Sequence, residues 1–187
     1  SYIAQIGYDD RVILVAGGAT NSPAWPAISY LTHLAYDTLR LRLFTPEHIQ
    51  ILSPETDQDF DGDGTNDVAA ASGLASLYGA IAEWATTNAT DRLTLYLIGE
   101  GTGDALCLSG TECLATNQLA TWVHDFQATN PVPVNIVLDF SGAGAFLPAL
   151  ADTQLAEDFP GATRICIASA HAGREALFAN GGTVSFS

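Results

Sequence analysis

The chain has 187 residues, 48% of them apolar, enough for one domain with a full hydrophobic core. Its formal charge is −15, from 21 acidic residues against six arginines and no lysine. Such a surface repels phosphate backbones and anionic lipid, which argues against nucleic acid and membrane surfaces as partners. No apolar run approaches the ~18 residues a membrane-spanning helix needs. The opening Ser1 to Gln5 also lacks the basic-then-apolar order of a signal peptide. The lack of any methionine and the strand-like ending Thr183 to Ser187 lead us to expect a single domain over 1–187, cut from a longer protein.

Strand-like and helix-like segments alternate along the chain. The apolar run Arg11 to Ala16, closed by Gly17-Gly18, reads as a strand buried on both faces. Ser22 to Pro26 leads into a helix over 27–43, where Ile28, Leu31, Leu34, Ala35 and Leu39 recur at helical spacing. A second strand is expected over 46–52 and a helix of small residues over 68–84. A third strand, Leu93 to Ile98, ends at Gly99. Cys107 and Cys113 flank Leu-Ser-Gly-Thr-Glu, a short hairpin holding either a disulfide or two reduced thiols. A helix over 117–126 and a fourth strand, Val134 to Leu138 ending at Asp139, come next. A fifth strand is expected over 165–168, with Cys166 as an inert buried thiol, and a sixth over 183–186. This alternation predicts an α/β fold: a mostly parallel sheet of about six strands, right-handed crossovers and helices on both faces. In such sheets sites form at the carboxyl ends of strands. That directs attention to loops 17–24, 99–104, 139–144 and 169–174.

Residues 59–67 read Asp-Phe-Asp-Gly-Asp-Gly-Thr-Asn-Asp. Acids at alternating positions surround one point once the chain curls, and Gly64 permits the sharp turn. Asp59, Asp61 and Asp63 would ligate a metal through their side chains, Thr65 through its carbonyl, and Asp67 directly or through water. All-oxygen, carboxylate-rich ligation selects a hard cation, and a flexible loop favours calcium over magnesium. Over these nine residues the loop resembles the calcium repeats of dockerins and thrombospondin type 3 domains. It departs from a complete EF-hand at its twelfth position, Ala70. We expect a structural calcium site, carried on a loop over 57–67 inserted after the second strand.

The strand ends carry a second resemblance. Tyr96-Leu97-Ile98-Gly99-Glu100-Gly101, then Leu138-Asp139-Phe140-Ser141-Gly142-Ala143-Gly144, then Arg164 to Ala170 with Glu175, Ala176, Phe178 and Gly181 follow one another in order. In this order and spacing they resemble the legumain-type and caspase-like cysteine peptidases, from Arg11 to Ser187. That resemblance implies a caspase-like three-layer sandwich. It places the family's general-base histidine on Glu100 and its nucleophilic cysteine on Ser141. A hydroxyl needs a well-placed base to attack, and a carboxylate cannot cycle a proton near neutral pH as imidazole does. The implied domain is a peptidase homologue without a working dyad, secreted or extracytoplasmic, that binds a protein or peptide partner. Glu175, in the family's specificity loops, would favour a basic side chain. Two alternatives remain: an altered form of an active peptidase, and a serine hydrolase in which His171 serves Ser141 beside Glu100. Asp139-Phe140-Ser141-Gly142-Ala143 does not match the Gly-x-Ser-x-Gly elbow of such hydrolases. His33, His48 and His124 read as surface or packing residues, and Trp25, Trp84 and Trp122 as packing anchors. Gly17-Gly18 lacks the rest of a nucleotide-binding fingerprint.

Overall fold

The computed structural model describes residues 9–87, 90–151 and 157–176. The elements in chain order are β1 (Asp10–Ala16), α1 (Trp25–Leu41), β2 (Ile49–Leu52), β3 (Val68–Ala70), α2 (Leu74–Ala82), β4 (Arg92–Ile98), β5 (Glu100–Thr102), β6 (Ala105–Cys107), β7 (Cys113–Ala115), α3 (Thr116–Thr129), β8 (Val134–Asp139), α4 (Leu147–Leu150) and β9 (Arg164–Ala168). A strand with no polar face must be covered on both sides. Val12 to Ala16 of β1 are accordingly at most 1% exposed. β1 lies between β2 and β4 in a six-stranded sheet of order β3-β2-β1-β4-β8-β9, every pair parallel.

Each face of that sheet has its own apolar layer. On one side α1 packs Trp25, Ile28, Leu31 and Tyr36 against Leu14, Ala16, Ile51 and Ile98. On the other, Leu77 and Ile81 of α2, Leu119, Val123 and Phe126 of α3 and Leu150 of α4 cover Ile13, Val15, Leu95, Leu97, Ile136 and Leu138. Alternate residues of β1 and β4 thus serve opposite layers, as the two-residue period of a strand requires. The expected mostly parallel sheet with helices on both faces is what forms. Among the described residues no helix is long and apolar enough to cross a membrane.

Three expectations need correction. Pro46 to His48 make a 3₁₀ turn, so the second strand starts only at Ile49. The expected helix over 68–84 is three pieces. Val68 and Ala70 pair with Ile51 and Leu52 as the edge strand β3, α2 starts at Leu74, and Trp84–Thr86 is a separate 3₁₀ turn. The break is local: Gly73 is fully extended (φ −169°, ψ 167°) just before the helix. The third correction is that the Cys107–Cys113 hairpin gains β5, giving a three-stranded antiparallel sheet of order β5-β6-β7. The sixth strand expected over 183–186, with Phe178 and Gly181, lies outside the described residues.

Gly79 sits inside α2, where an added methyl would meet nothing within 4 Å. Gly79→Ala should therefore stabilise the domain by about 0.5–1 kcal/mol through lower unfolded-chain entropy, as read from the midpoint of urea unfolding.

Candidate functional site at the strand ends and in the acidic loop

The β4–β8 register sets the first candidate site. Ile98 pairs with Asp139, so Glu100 and Ser141 each follow two residues beyond one paired position. The chain segments that carry them touch. A Cβ added to Gly101 would lie 1.7 Å from the Ser141 carbonyl oxygen, so only glycine fits there. Gly142 takes a left-handed conformation (φ 77°) and starts the 3₁₀ turn Ala143–Phe146. The loop after β9 then wraps this turn. The Gly144 N–H donates to the Ala170 carbonyl (2.8 Å) and the Gly142 N–H to the Arg174 carbonyl (2.7 Å). The Ala176 N–H donates to Ser141 Oγ (3.0 Å). Opposite, Glu100 accepts a hydrogen bond from the Ser22 hydroxyl, on the segment leading into α1.

Between these groups lies a cleft of about 410 Å³ whose wall includes Glu100, Thr102, Cys107, Ser141, Glu175 and Ala176. Glu100 and Ser141 therefore share one cleft. His171 does not line it. Its side chain is exposed and its carbonyl accepts the Arg174 N–H (3.0 Å), so it acts as a turn residue. Ser22 and Ala176, which hold the two site side chains, carry no sequence signal, because each acts across the fold. Gly101→Ala should destabilise by about 1–3 kcal/mol, since the methyl must displace a backbone carbonyl. Urea unfolding checks this, and an unchanged midpoint would contradict the close approach.

Two residues before Ser141, Asp139 is 1% exposed. Burial pushes its carboxyl above the usual 3.8, and the neighbouring Ser169 and Tyr96 hydroxyls offset only part of that rise. Its Oδ2 lacks a well-aligned partner. The Tyr96 hydroxyl is in turn pushed up to about 12, mainly by burial and then by the Asp139 charge. An unfolded chain would release the Asp139 proton near 3.8, while the folded one keeps it to higher pH. The stability this group contributes is thus complete below 3.8 and is lost as pH rises through the folded value. Asp139→Asn should gain stability relative to the parent as pH climbs from about 4, and then level off. Urea midpoints of both proteins across that range, with chelator present, test it; a constant difference would contradict the raised value.

The second candidate site is the acidic loop between β2 and β3. Carboxylate oxygens of Asp59, Asp61 and Asp67 lie within 4.8 Å of one another. Backbone donors organise them. Asp59 accepts the N–H groups of Gly62 (2.7 Å) and Gly64 (2.8 Å), and Asp67 accepts that of Phe60 (2.7 Å). Gly62 and Gly64 supply the positive φ values, 75° and 89°, that the curl needs. Asp63 stands outside the group. It accepts the N–H of Thr65 (2.7 Å) and also its hydroxyl, and these bonds hold its carboxyl below the usual range. Phe60, the apolar residue among the acids, anchors the loop. It is 9% exposed, stacks on His33 (ring centroids 4.1 Å apart) and meets Tyr36 at 5.3 Å. Tyr36 OH points to Asp61 Oδ2 (3.4 Å), and burial together with the charges of Asp67 and Asp61 pushes it up to about 12. His33 is thus a packing residue, as expected, whereas Phe60 and Tyr36 anchor the loop without a periodic or motif signal in the sequence. Three convergent carboxylates on a solvent-facing loop are positioned to chelate a divalent cation. An all-oxygen donor set fits a hard one.

No protein-family model matches the chain, and no curated protein matches it either.

Proposed function

We propose that this domain is a calcium-stabilised peptidase homologue of the caspase and legumain type that binds a protein or peptide segment without cleaving it. The observation that carries the reading is the content of the strand-end cleft. The two side chains at the carboxyl ends of β4 and β8 are a carboxylate and a hydroxyl. Each is engaged in a structural hydrogen bond, Glu100 with Ser22 and Ser141 with the Ala176 N–H. Among the described residues no imidazole lines the cleft beside them. A serine hydroxyl that accepts a backbone N–H and lacks a base is a poor nucleophile at neutral pH. The open cleft at a strand-end position is nevertheless where an α/β sheet receives a ligand. Glu175 on its wall favours a basic side chain.

Calcium is our choice of cation because the loop offers oxygen donors in a flexible arrangement, without the rigid octahedral demand of magnesium. Asp59, Asp61 and Asp67 would hold it. Rotation of Asp63 away from Thr65, together with the Thr65 carbonyl, would complete the shell. The ion would relieve the repulsion among these carboxylates and fasten the loop that Phe60 pins to α1. An acidic, calcium-loaded surface suits a secreted or extracytoplasmic setting.

Fluorogenic peptides and esters, offered with and without calcium, should show no turnover that depends on Ser141. Turnover lost in Ser141→Ala would overturn the inert reading. For the metal, saturating calcium at about a hundred times its dissociation constant should contribute about 2.7 kcal/mol. Chelation should then lower the melting midpoint by roughly 5–10 °C. The midpoint of Asp59→Ala should be the same with calcium and with chelator, and a parent midpoint indifferent to chelator would contradict a structural ion.

A further inference from the structure

β6 and β7 pair antiparallel with Cys107 directly opposite Cys113. Directly opposed residues point to the same side of a sheet. Here that side is the outer one, because Leu106, Leu108 and Leu114 fill the core from the other. The ladder also fixes which kind of pair this is. The next pair outward is bonded, with the Leu108 N–H donating to the Glu112 carbonyl (2.8 Å). Bonded and non-bonded pairs alternate along an antiparallel ladder, so Cys107 and Cys113 form a non-hydrogen-bonded pair. Such pairs hold their Cα atoms about 4.5 Å apart, at the near end of the range a disulfide spans. Both sulfurs are free thiols, Cys107 partly buried and Cys113 exposed. Glu100 faces Cys107 from β5 on the same side of the sheet, and Cys107 itself forms part of the cleft wall.

We infer that Cys107 and Cys113 are a reversible cross-strand disulfide site, opened and closed by exchange with a small-molecule disulfide such as oxidised glutathione. The exposed Cys113 is the entry point. Its thiolate attacks one sulfur of the glutathione disulfide, forming a Cys113–glutathione bond and releasing one glutathione thiolate. Cys107 then gives up its proton to solvent and attacks the Cys113 sulfur. The protein disulfide forms and the second glutathione leaves. Two protein thiols are oxidised and one glutathione disulfide is reduced to two thiols, so electrons and protons balance. In the reduced hairpin, burial, the Cys113 neighbour and the Glu100 charge raise the Cys107 thiol. In the mixed disulfide burial and Glu100 remain, so the second step speeds up as pH rises. Closure draws the Cys107 sulfur towards Cys113 and ties the two hairpin strands beside the cleft. Cys166, on β9, has no part in the exchange.

The test uses the native protein equilibrated over a series of oxidised-to-reduced glutathione ratios, quenched in acid, denatured, alkylated and cut after arginine. Cys107 and Cys113 fall together in the peptide Leu93–Arg164, and Cys166 falls in Ile165–Arg174. The expected result is an unalkylated 93–164 peptide lighter by two hydrogen atoms, with Cys166 fully alkylated and the outcome unchanged in Cys166→Ser. The ring-closing equilibrium should also be about tenfold or more higher in the native protein than in urea, because the sheet register holds the sulfurs in range. Complete alkylation of both thiols in the most oxidising mixture, a persistent glutathione adduct, a link to Cys166, or equal equilibria in native and unfolded chains would each overturn the inference.

Discussion

Parallel pairing between β4 and β8 is the constraint on which the strand-end site depends. It sets Ile98 against Asp139, and the chain then leaves both strands at the same level of the sheet. Glu100 and Ser141 come to share a cleft for that reason, although about forty residues separate them in the sequence. The tolerance of the arrangement is small. Gly101 lies against the Ser141 carbonyl, and Gly99 lies against the Gly17 carbonyl at the end of β1, where an added Cβ would come within 2.7 Å. These contacts weld the ends of β1, β4 and β8 into one surface. The loop after β9 is laid over it by bonds from the turn at Gly142 and Gly144.

The acidic loop obeys a different constraint. It concentrates negative charge at one edge of the sheet, and like charges this close repel unless something offsets them. Backbone N–H groups from Phe60 to Thr65 supply part of that offset by aiming at Asp59, Asp61, Asp63 and Asp67. Apolar contact supplies the position: Phe60 joins the α1 layer of the core through His33 and Tyr36. The loop is therefore fixed to the fold by an aromatic residue, which leaves its carboxylates facing solvent and convergent. On the proposed reading a cation supplies the remaining offset.

What the sequence made legible follows from the length of each signal. β1 is a continuous apolar run, β4 and β8 are apolar runs interrupted only by Thr94 and Asn135, and α1 and α3 repeat their apolar residues over several turns, so all five stand out. The loop is legible because Asp, Gly and Asp alternate within nine residues. β3 and the strands β5, β6 and β7 are three residues long, too short to show a period. Val68-Ala69-Ala70 carries helix-tolerant alanines that tertiary pairing with β2 overrides. The strand ends point to loops 99–104 and 139–144, and the family resemblance singles out Glu100 and Ser141 within them, whereas Ser22 and the Ala176 N–H, which hold them, carry no such signal. His171 lies near in sequence to the right strand end, yet the turn it forms leaves its ring exposed and outside the cleft wall.

On the proposed reading, positions 100 and 141 occupy the places of an imidazole and a thiolate but carry a carboxylate and a hydroxyl. The most direct measurement installs the imidazole and the thiol together, as Glu100→His with Ser141→Cys, and follows alkylation of the new thiol by iodoacetamide near pH 6, mapped by mass spectrometry. An imidazole within reach lowers a thiol's pKa and raises its thiolate fraction. The account predicts labelling at least about tenfold faster than in Ser141→Cys alone, a gap that closes as pH rises past the ordinary thiol value. Equal rates in the single and double variants at pH 6 would contradict it, because positions 100 and 141 would then not face each other as a base and nucleophile must.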